Sequence, residues 1–203
     1  MKKLNNKIII GAVAAVIVIV AGAILAKTYY FEPRQDKAST ALAKGQQYFA
    51  MDEYDTALNG DGKGYIGFIN IINDYSGTDA ANLANLYAGL SYAHKGKAQE
   101  AIKYLEDYSA GDDMMVSPAA IAALGNCYAE VGDVDKAIKL LLKAAKKADN
   151  NSLSPTFLIQ AGELYESQGK NDDALDCYNQ VKEKYTESMQ YQEIDKYIER
   201  ASK

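Results

Sequence analysis

Five residues recur at fixed offsets along the chain, and this recurrence constrains the fold more than any other feature. Each copy has a glycine, a tyrosine three positions later, a second glycine at +7, an alanine at +12 and a leucine or tyrosine at +16. The clear copies are Gly89, Tyr92, Gly96, Ala101 and Leu105; Gly125, Tyr128, Gly132, Ala137 and Leu141; and Gly162, Tyr165, Gly169, Ala174 and Tyr178. They are spaced 36 and 37 residues apart, and a degenerate copy begins at Gly45. A fixed period of this length predicts a stacked-repeat architecture.

Each position of the repeat has a physical reading as part of a helix pair. The first glycine lies within helix A of its unit, where the missing side chain lets a neighbouring helix approach. The second glycine ends helix A in a left-handed turn, and the alanine marks a close contact in helix B. Ser117-Pro118 and Ser154-Pro155 predict helix starts, with serine as N-cap and proline at the first helical position. The pattern predicts an all-α fold of helix–turn–helix units.

The segments Leu124-Gly125-Asn126-Cys127-Tyr128 and Ala137-Ile138-Lys139-Leu140-Leu141 resemble the tetratricopeptide repeat (TPR), a helix–turn–helix unit of about 34 residues. The resemblance covers residues 34–186 as four repeats. The tryptophan of the family signature is missing, and the residues in its place are Asn85, Ile121 and Leu158. The resemblance implies a TPR-type α-solenoid, all-α, that binds other proteins and catalyses nothing.

In this family helix A of each unit lines a concave surface, so the resemblance also implies which side chains would face a bound peptide. These groove positions, unit by unit, are Leu42, Gln46 and Phe49; Leu86, Leu90 and His94; Ala122, Asn126 and Glu130; and Ile159, Glu163 and Glu166. None of them is Lys or Arg, and their character changes from apolar in the first two units to acidic in the fourth. We therefore expect protein partners that offer apolar or weakly basic segments.

A glycine-rich stretch at residues 59–66 interrupts the first repeat, because Gly45 and Gly89 are 44 residues apart. We expect an exposed and mobile break in helix B there. A calcium-binding loop is the alternative, but Lys63 stands at a ligand position and Asn70 stands where a bidentate glutamate is needed. No nucleophile, metal-ligand or nucleotide-binding motif occurs with the required spacing, so we expect no cofactor, no metal and no enzyme activity.

Residues 8–26 contain no charge and no strongly polar group, and they follow a basic leader at residues 1–7. At about 1.5 Å per residue, a helix of this length spans roughly 28 Å, close to the hydrocarbon thickness of a bilayer. We expect an uncleaved transmembrane helix, followed by a linker at residues 27–33. A cleaved secretory signal is the alternative, since Ala21-Gly22-Ala23 resembles a cleavage site, although the apolar run is longer than that of most signals.

Lysines concentrate before this helix and predict its orientation. Lys2, Lys3 and Lys7 have no acid beside them, whereas Glu32 and Asp36 partly offset the basic residues after the helix. The positive-inside rule then keeps the N-terminus in the cytoplasm and places the repeats outside. In a bacterium this describes a single-pass inner (cytoplasmic) membrane protein with a periplasmic domain. The layout resembles the ancillary subunit family of the bacterial SecYEG translocon, which implies a role beside protein export and periplasmic chaperones.

The charge of the chain limits the class of partner, and the spacing of its cysteines limits metal and redox chemistry. The chain has 22 Lys and Arg against 27 Asp and Glu, and its first 27 residues hold four of the lysines and no acid. The remainder is strongly acidic, which disfavours nucleic acid because affinity for it comes mostly from cations that meet phosphates. Cys127 and Cys177 have no CxxC spacing and no histidine partner, so we interpret them as small buried thiols.

Residues 187–203 carry apolar side chains at helical spacing. They are Met189, Tyr191, Ile194, Tyr197 and Ile198. A solenoid needs a terminal helix that covers its last repeat, and we interpret this segment as that capping helix. Two hypotheses follow: a membrane-tethered interaction scaffold, or a structural element whose groove is filled by its own C-terminal helix or a second copy. The pairs Gly11/Ala15 and Gly22/Ala26 offer a small-residue face for a homodimer of the anchor.

Overall fold

The structure is a computed structural model that describes residues 6–203, with side chains from Gly11 onward. Residues 1–5 of the expected leader lie outside the described residues. The α-helices are α1 (Asn6–Ala26), α2 (Glu32–Ala50), α3 (Tyr54–Asn59), α4 (Phe68–Asp74), α5 (Asp79–His94), α6 (Ala98–Asp107), α7 (Val116–Glu130), α8 (Val134–Ala148), α9 (Ser154–Ser167), α10 (Asn171–Lys184) and α11 (Ile194–Ala201). A π-helical turn at Lys27–Phe31 joins α1 to α2, and a 3₁₀ turn at Met189–Gln192 precedes α11. The expected all-α fold is confirmed over the described range.

The helices after α1 form a linear stack of hairpins. α5 pairs with α6, α7 with α8, and α9 with α10, whereas α2 belongs to a first unit whose second part is divided into α3 and α4. Helix B of one unit also packs on helix A of the next, as α6 does on α7 and α8 on α9. Three hydrophobic clusters follow one another along the stack and include Phe68, Leu105 and Tyr178 in that order. Each unit therefore contributes to a core that extends in one dimension.

The recurring glycine of helix A packs against the residue sixteen positions later, in helix B of the same unit. The contacting pairs are Gly89 with Leu105, Gly125 with Leu141, and Gly162 with Tyr178. A Cβ atom on Gly125 would lie 3.3 Å from Cγ of Leu141, and one on Gly162 would lie 2.7 Å from Cζ of the fully buried Tyr178 ring. The second glycines Gly96, Gly132 and Gly169 have φ angles of +67°, +87° and +70°. Both predicted roles of glycine, close approach and left-handed turn, are confirmed.

Polar residues upstream of the predicted serines organise the loops that lead into α7 and α9. Asp113 Oδ1 accepts hydrogen bonds from three backbone N–H groups at the start of α7, and Asn150 Oδ1 accepts two just before α9. Ser117 and Ser154 are buried and donate instead to Asp113 Oδ2 and to the Ala145 carbonyl oxygen. The prediction that these serines are N-caps is wrong: the Asp113 carboxylate caps α7, whereas α9 has no side-chain cap and its Ser154 N–H donates to the Asn150 carbonyl oxygen. Hydrogen bonds from the Ser117 hydroxyl and these N–H groups hold the pKa of Asp113 well below its usual value.

The interruption at residues 59–66 separates α3 from α4 and is folded around Asp61. The Asp61 carboxylate accepts hydrogen bonds from the backbone N–H groups of Lys63 and Tyr65 at 2.7 and 2.9 Å, and it pairs with Lys44 at 2.9 Å. These contacts, with the one to Lys44 first, hold the pKa of Asp61 well below its usual value. Tyr65 is 3% exposed and donates to a carbonyl oxygen of α3. Only the glycine-rich tip matches the expectation of an exposed break.

α1, the π-helical turn and α2 form one continuous helix, so residues 27–33, expected as a linker, are helical. Among the described residues this is the one helix whose length and composition suit a membrane span, and its apolar window has no buried residue. A signal sequence meets the same criteria. Arg34 donates hydrogen bonds to the Tyr30 hydroxyl and to the Asp74 carbonyl oxygen, each at 2.9 Å. The beginning of α2 is thereby tied to the end of α4.

The C-terminal segment covers the last unit with a smaller apolar face than the sequence pattern predicts. Ile194 and Ala201 of α11 are buried in the cluster that contains α10 residues, whereas Met189 and Tyr191 are 86% and 40% exposed. The expectation of a single apolar face is wrong for Met189 and Tyr191. They fall in the 3₁₀ turn, whose three residues per turn take them out of register with the face of α11.

We expect Gly162→Ala to lower the free energy of unfolding by about 1–3 kcal/mol, because the added methyl group must displace the buried Tyr178 ring. Gly125→Ala should change it by less than about 1 kcal/mol, since its contacts are looser and alanine favours a helix over glycine by about 1 kcal/mol. Gly111→Ala is the control, because the added methyl group at this loop glycine would make only ordinary van der Waals contacts. Denaturant unfolding of the full chain in detergent, followed by circular dichroism, measures all three. Equal stabilities of Gly162→Ala and Gly111→Ala would contradict the proposed contact.

Candidate peptide-binding groove

Two predicted groove positions, Phe49 and His94, meet in an aromatic cluster, which we define as Phe49, Tyr54, Tyr87 and His94. The ring centroid of Phe49 lies 5.2 Å from that of Tyr87 and 5.8 Å from that of His94. Tyr54 stacks on His94 at 5.0 Å with nearly parallel planes. Such pairs each contribute about 0.5–1.5 kcal/mol beyond the area they bury. The cluster joins helix A of the first unit to helix A of the second, and the exposed His94 ring lies at its surface.

An apolar cleft of about 350 Å³ continues from this cluster between α5, the start of α7 and the residue before α9. Its lining residues are Leu86, Tyr87, Leu90, Met115, Val116, Ala119, Ala120 and Leu153. Met115 and Val116 are about half exposed, although both are large and apolar. Tyr87 belongs to the cleft and to the aromatic cluster, so the two form one continuous surface. We call this lining set the apolar cleft.

The groove positions differ in how much of each side chain is accessible. Leu42, Leu86, Ala122 and Ile159 are buried. The half-buried positions are Gln46, Phe49, Leu90, Asn126 and Glu166, and the exposed ones are His94, Glu130 and Glu163. Ala122 belongs to a core cluster, so its small side chain serves packing. In the third unit a ligand would therefore meet Asn126 and Glu130.

The acidic end of the groove, in the fourth unit, is engaged by the C-terminal helix. Arg200 of α11 donates hydrogen bonds to Glu166 at 2.8 and 3.1 Å and lies 3.8 Å from Glu163. The Tyr178 hydroxyl donates to the same Glu166 carboxylate at 2.8 Å. Burial first, and the hydrogen bond to Glu166 second, raise the pKa of Tyr178. The two glutamates thus share one cation supplied by the chain itself.

The C-terminal 3₁₀ turn lies beside Ile159, the remaining groove position of the fourth unit. Ile159, Met189 and Tyr197 line a second cleft of about 330 Å³. The side chain of Gln190 donates a hydrogen bond to the Thr156 hydroxyl at 2.9 Å, which attaches the turn to α9. In the last unit the C-terminal segment therefore lies against the groove side of helix A, whereas in the first two units this side is open.

Sequence reasoning did not identify several residues that form the accessible surface. They are Tyr54, Tyr87, Met115, Val116 and Leu153. Met115 and Val116 directly precede a predicted helix start and are apolar in an otherwise polar loop, which is a signal that the sequence does contain. Tyr87 and Leu153 give no comparable signal, because the repeat register does not assign them to the groove.

The described residues offer little for covalent or metal chemistry. Among residues 11–203 no three His, Cys, Asp or Glu side chains converge in an arrangement that would hold a metal ion. Cys127 and Cys177 are buried, and burial raises the pKa of each thiol to about 11. Because the thiolate is the reactive form, both thiols are unreactive at neutral pH. The interpretation of the cysteines as buried core thiols is confirmed.

The fold and this surface define a class: an α-solenoid of helix hairpins with an apolar face for protein binding. The chain belongs to the tetratricopeptide repeat-like domain family, which it matches over residues 3–198. The prediction of a TPR-type solenoid is thereby confirmed. Proteins with this domain act in general as protein–protein interaction scaffolds, and no enzyme family is indicated.

Solved structures of low sequence identity share the fold. A Podosopora anserina protein described as a kinesin light chain with nearly identical TPR-like repeats is 14% identical, with a TM-score of 0.59 over 82% of this chain and 86% of that one. Two structures of MamA are 18% and 16% identical, with TM-scores of 0.52 and 0.54. They cover 78% and 81% of this chain and 92% and 89% of their own. No curated protein sequence matches the chain.

We expect Arg200→Gln to loosen α11 and to lower the free energy of unfolding by about 1 kcal/mol, because it removes a charged donor from Glu166 at a half-exposed site. Lys196→Gln, which removes the same charge from an exposed position of the same helix, should change it by less than about 0.5 kcal/mol. Hydrogen exchange of the α11 amides should accelerate in Arg200→Gln alone. Identical exchange in both variants would show that Arg200 does not hold the helix.

Proposed function

We propose that this protein is a membrane-tethered interaction scaffold of the bacterial cell envelope that assists the export or assembly of envelope proteins. The observation that carries the proposal is the apolar cleft and its continuity with the aromatic cluster through Tyr87. Half-exposed Met115 and Val116 are unfavourable in water unless a partner covers them at least part of the time. A rigid solenoid is suited to present such a surface at a fixed place.

The partner is a polypeptide segment with apolar anchors and a neutral to basic flank. The cleft accepts apolar side chains, and the accessible charges along the groove are those of Glu130 and Glu163. The repeat region as a whole is acidic, so it attracts basic segments over a longer range and repels acidic ones. Handover of unfolded export substrates to a periplasmic chaperone fits this chemistry.

The tether is α1, with the N-terminus in the cytoplasm and the repeats in the periplasm. The exposure of the whole apolar stretch supports this arrangement, because a helix of this composition needs an apolar environment. Lys2, Lys3 and Lys7 support the orientation. Tyr29 and Tyr30 are exposed directly after α1, as aromatic residues of a membrane interface would be.

A structural or oligomeric element is the second candidate, and the engagement of Glu163 and Glu166 by Arg200 favours it. In this alternative the C-terminal helix occupies one end of the groove and a second copy of the chain covers the apolar cleft. The exposed small residues of α1, the Gly11/Ala15 and Gly22/Ala26 pairs, would then join the anchors of a homodimer.

A photoreactive amino acid at Met115 should form adducts in living cells, because this position borders the apolar cleft. The same probe at Asn179, an exposed position of α10, is the control and should form at least about tenfold fewer. In the chain that carries the photoreactive amino acid at Met115, the further change Leu90→Glu should reduce the adducts about tenfold, because a carboxylate is costly to bury against apolar groups. Mass spectrometry of the attached peptide identifies the occupant.

The composition of that peptide separates the candidate functions. Apolar, neutral to basic peptides of other envelope proteins support the scaffold. Peptides from a second copy of this chain support the structural alternative. Acidic peptides, or equal yields at Met115 and Asn179, contradict the proposed groove.

We also expect the protein to stay in the membrane fraction through carbonate washing, because an uncleaved α1 spans the bilayer. Protease added to spheroplasts should digest the repeats and spare the leader, and replacement of Lys2, Lys3 and Lys7 by Glu should weaken or invert this orientation. A mature N-terminus near Ile24 would contradict the anchor. Protection of the repeats in intact spheroplasts would contradict the orientation and the envelope function with it.

A further inference from the structure

The helix that runs from α1 into α2 sets the direction of the solenoid relative to the N-terminal apolar segment. It continues without a break to Ala50. The chain stays helical through Pro33 because the π-helical turn, in which the Glu32 N–H donates to the Lys27 carbonyl oxygen, widens the helix where the proline ring enters it. α2 therefore continues in the general direction of α1, and the first unit is held rigidly at the end of the apolar segment.

Helix A of the second unit runs beside α2 in the same direction. The two helices touch at both ends. At the start of α5 the Asp79 N–H donates to the Gln35 side chain at 3.1 Å, and at its end the ring centroid of His94 lies 5.8 Å from that of Phe49. The start of α5 therefore faces α1, and its end is the part most distant from α1.

The loops that connect one unit to the next lie together at the end of the stack that faces α1. Arg34, near the start of α2, donates to the Asp74 carbonyl oxygen just before the first of these loops. Asn82, near the start of α5, bonds the loop after α6, and Asn150, before α9, donates to the Met114 carbonyl oxygen before α7 at 3.1 Å. We call this end of the stack the near edge and define it as residues 75–78, 108–115 and 149–153.

The near edge lies a short distance from the end of the apolar segment. Gln35, which contacts the start of α5, is nine positions after Ala26, the last residue of α1. With a helical rise of about 1.5 Å per residue, this is about 13 Å. The polar headgroup layer on each side of a bilayer is roughly 5–8 Å thick. When α1 spans a bilayer, the near edge therefore stands just outside the headgroups.

The apolar cleft begins at the near edge and leads away from it. Met115, Val116 and Leu153 line its near end, and Tyr87 connects it to the aromatic cluster, which extends to His94 at the end of α5. α5 has 16 residues and is about 24 Å long. A polypeptide that leaves the membrane beside α1 would meet Met115 and Val116 first and would then find a continuous apolar surface along its path.

We propose that the apolar cleft binds the membrane-proximal segment of a polypeptide that is inserted in the same bilayer. This inference rests on the proposed function, because it requires α1 to span the membrane. A rigid connection raises the effective concentration of the cleft only for a segment held at the same height, and a partner anchored in the same bilayer is held there. Tyr and Trp are enriched beside membrane spans, and the Met115 thioether makes a favourable contact with such rings.

Insertions between Ala26 and Lys27 test the importance of the height, in chains that carry the photoreactive amino acid at Met115. A seven-residue helical insertion of Glu, Ala and Lys lifts the near edge by about 10 Å and turns it by only about 20°. It should reduce the adducts in living cells at least about tenfold. A seven-residue Gly/Ser insertion is the matched control. It should reduce the adducts no more than about threefold, because a flexible chain lets the cleft return to its native height.

The attached peptides test the kind of partner. The Met115 probe should capture peptides within roughly ten residues of a transmembrane span of another protein, since an extended chain covers about 3.3 Å per residue. A second probe, at His94, should capture residues of the same partner that lie farther from that span, because His94 is at the opposite end of α5 from the near edge.

The outcomes separate this inference from the proposed function. Capture of membrane-proximal peptides, lost with the helical insertion and kept with the flexible one, supports the inference. Peptides from soluble proteins, peptides from a second copy of this chain, adducts that survive the helical insertion, or equal losses with both insertions would overturn it and leave the groove itself in place. Equal yields at Met115 and Asn179 in the chain without an insertion would overturn the groove and this inference together.

Discussion

The contact between the glycine of helix A and the residue sixteen positions later in helix B is the constraint on which the rest of the structure depends. At Gly89 and Gly162 even an added methyl group would overlap a side chain of helix B, and at Gly125 helix B would have to give way slightly. The interhelical distance set there brings the fully buried alanines, such as Ala101 and Ala137, onto the partner helix. The last three hairpins share this close approach, and each stacks on the next so that a continuous core forms.

The stack then determines where accessible apolar surface remains. Helix B of each unit is covered by helix A of the next, but the side of helix A shared by α5 and α7 has no element over it in the described chain. At the far end α11 takes the place of a further repeat, and Arg200 brings the positive charge that the two glutamates of α9 need. The solenoid is thus closed at its C-terminal end and open in its middle, where the candidate groove lies.

Much of the fold could be predicted from the sequence because its determinants are local. The offsets between Gly125, Gly132 and Ala137 specify a helix, a left-handed turn and a second helix within one short segment, and the structure has each of them. The helix caps show the limit of local reasoning. Ser117-Pro118 was a sufficient start signal for α7, yet the capping group is Asp113, because the loop folds back so that one carboxylate reaches three N–H groups.

The sequence by itself determined the helix pairs of the last three units, the left-handed glycine turn within each pair, the apolar N-terminal segment and the buried cysteines, since each depends on short-range periodicity or composition. Only the tertiary structure decided which groove positions are accessible. It buried Ala122, paired Glu166 with Arg200 and joined Tyr87 to Phe49 and to Met115. The residue pairs named here are 28 to 38 positions apart in the sequence, and no repeat register encodes them, because side-chain neighbours between units depend on how far each hairpin rotates on the one before it.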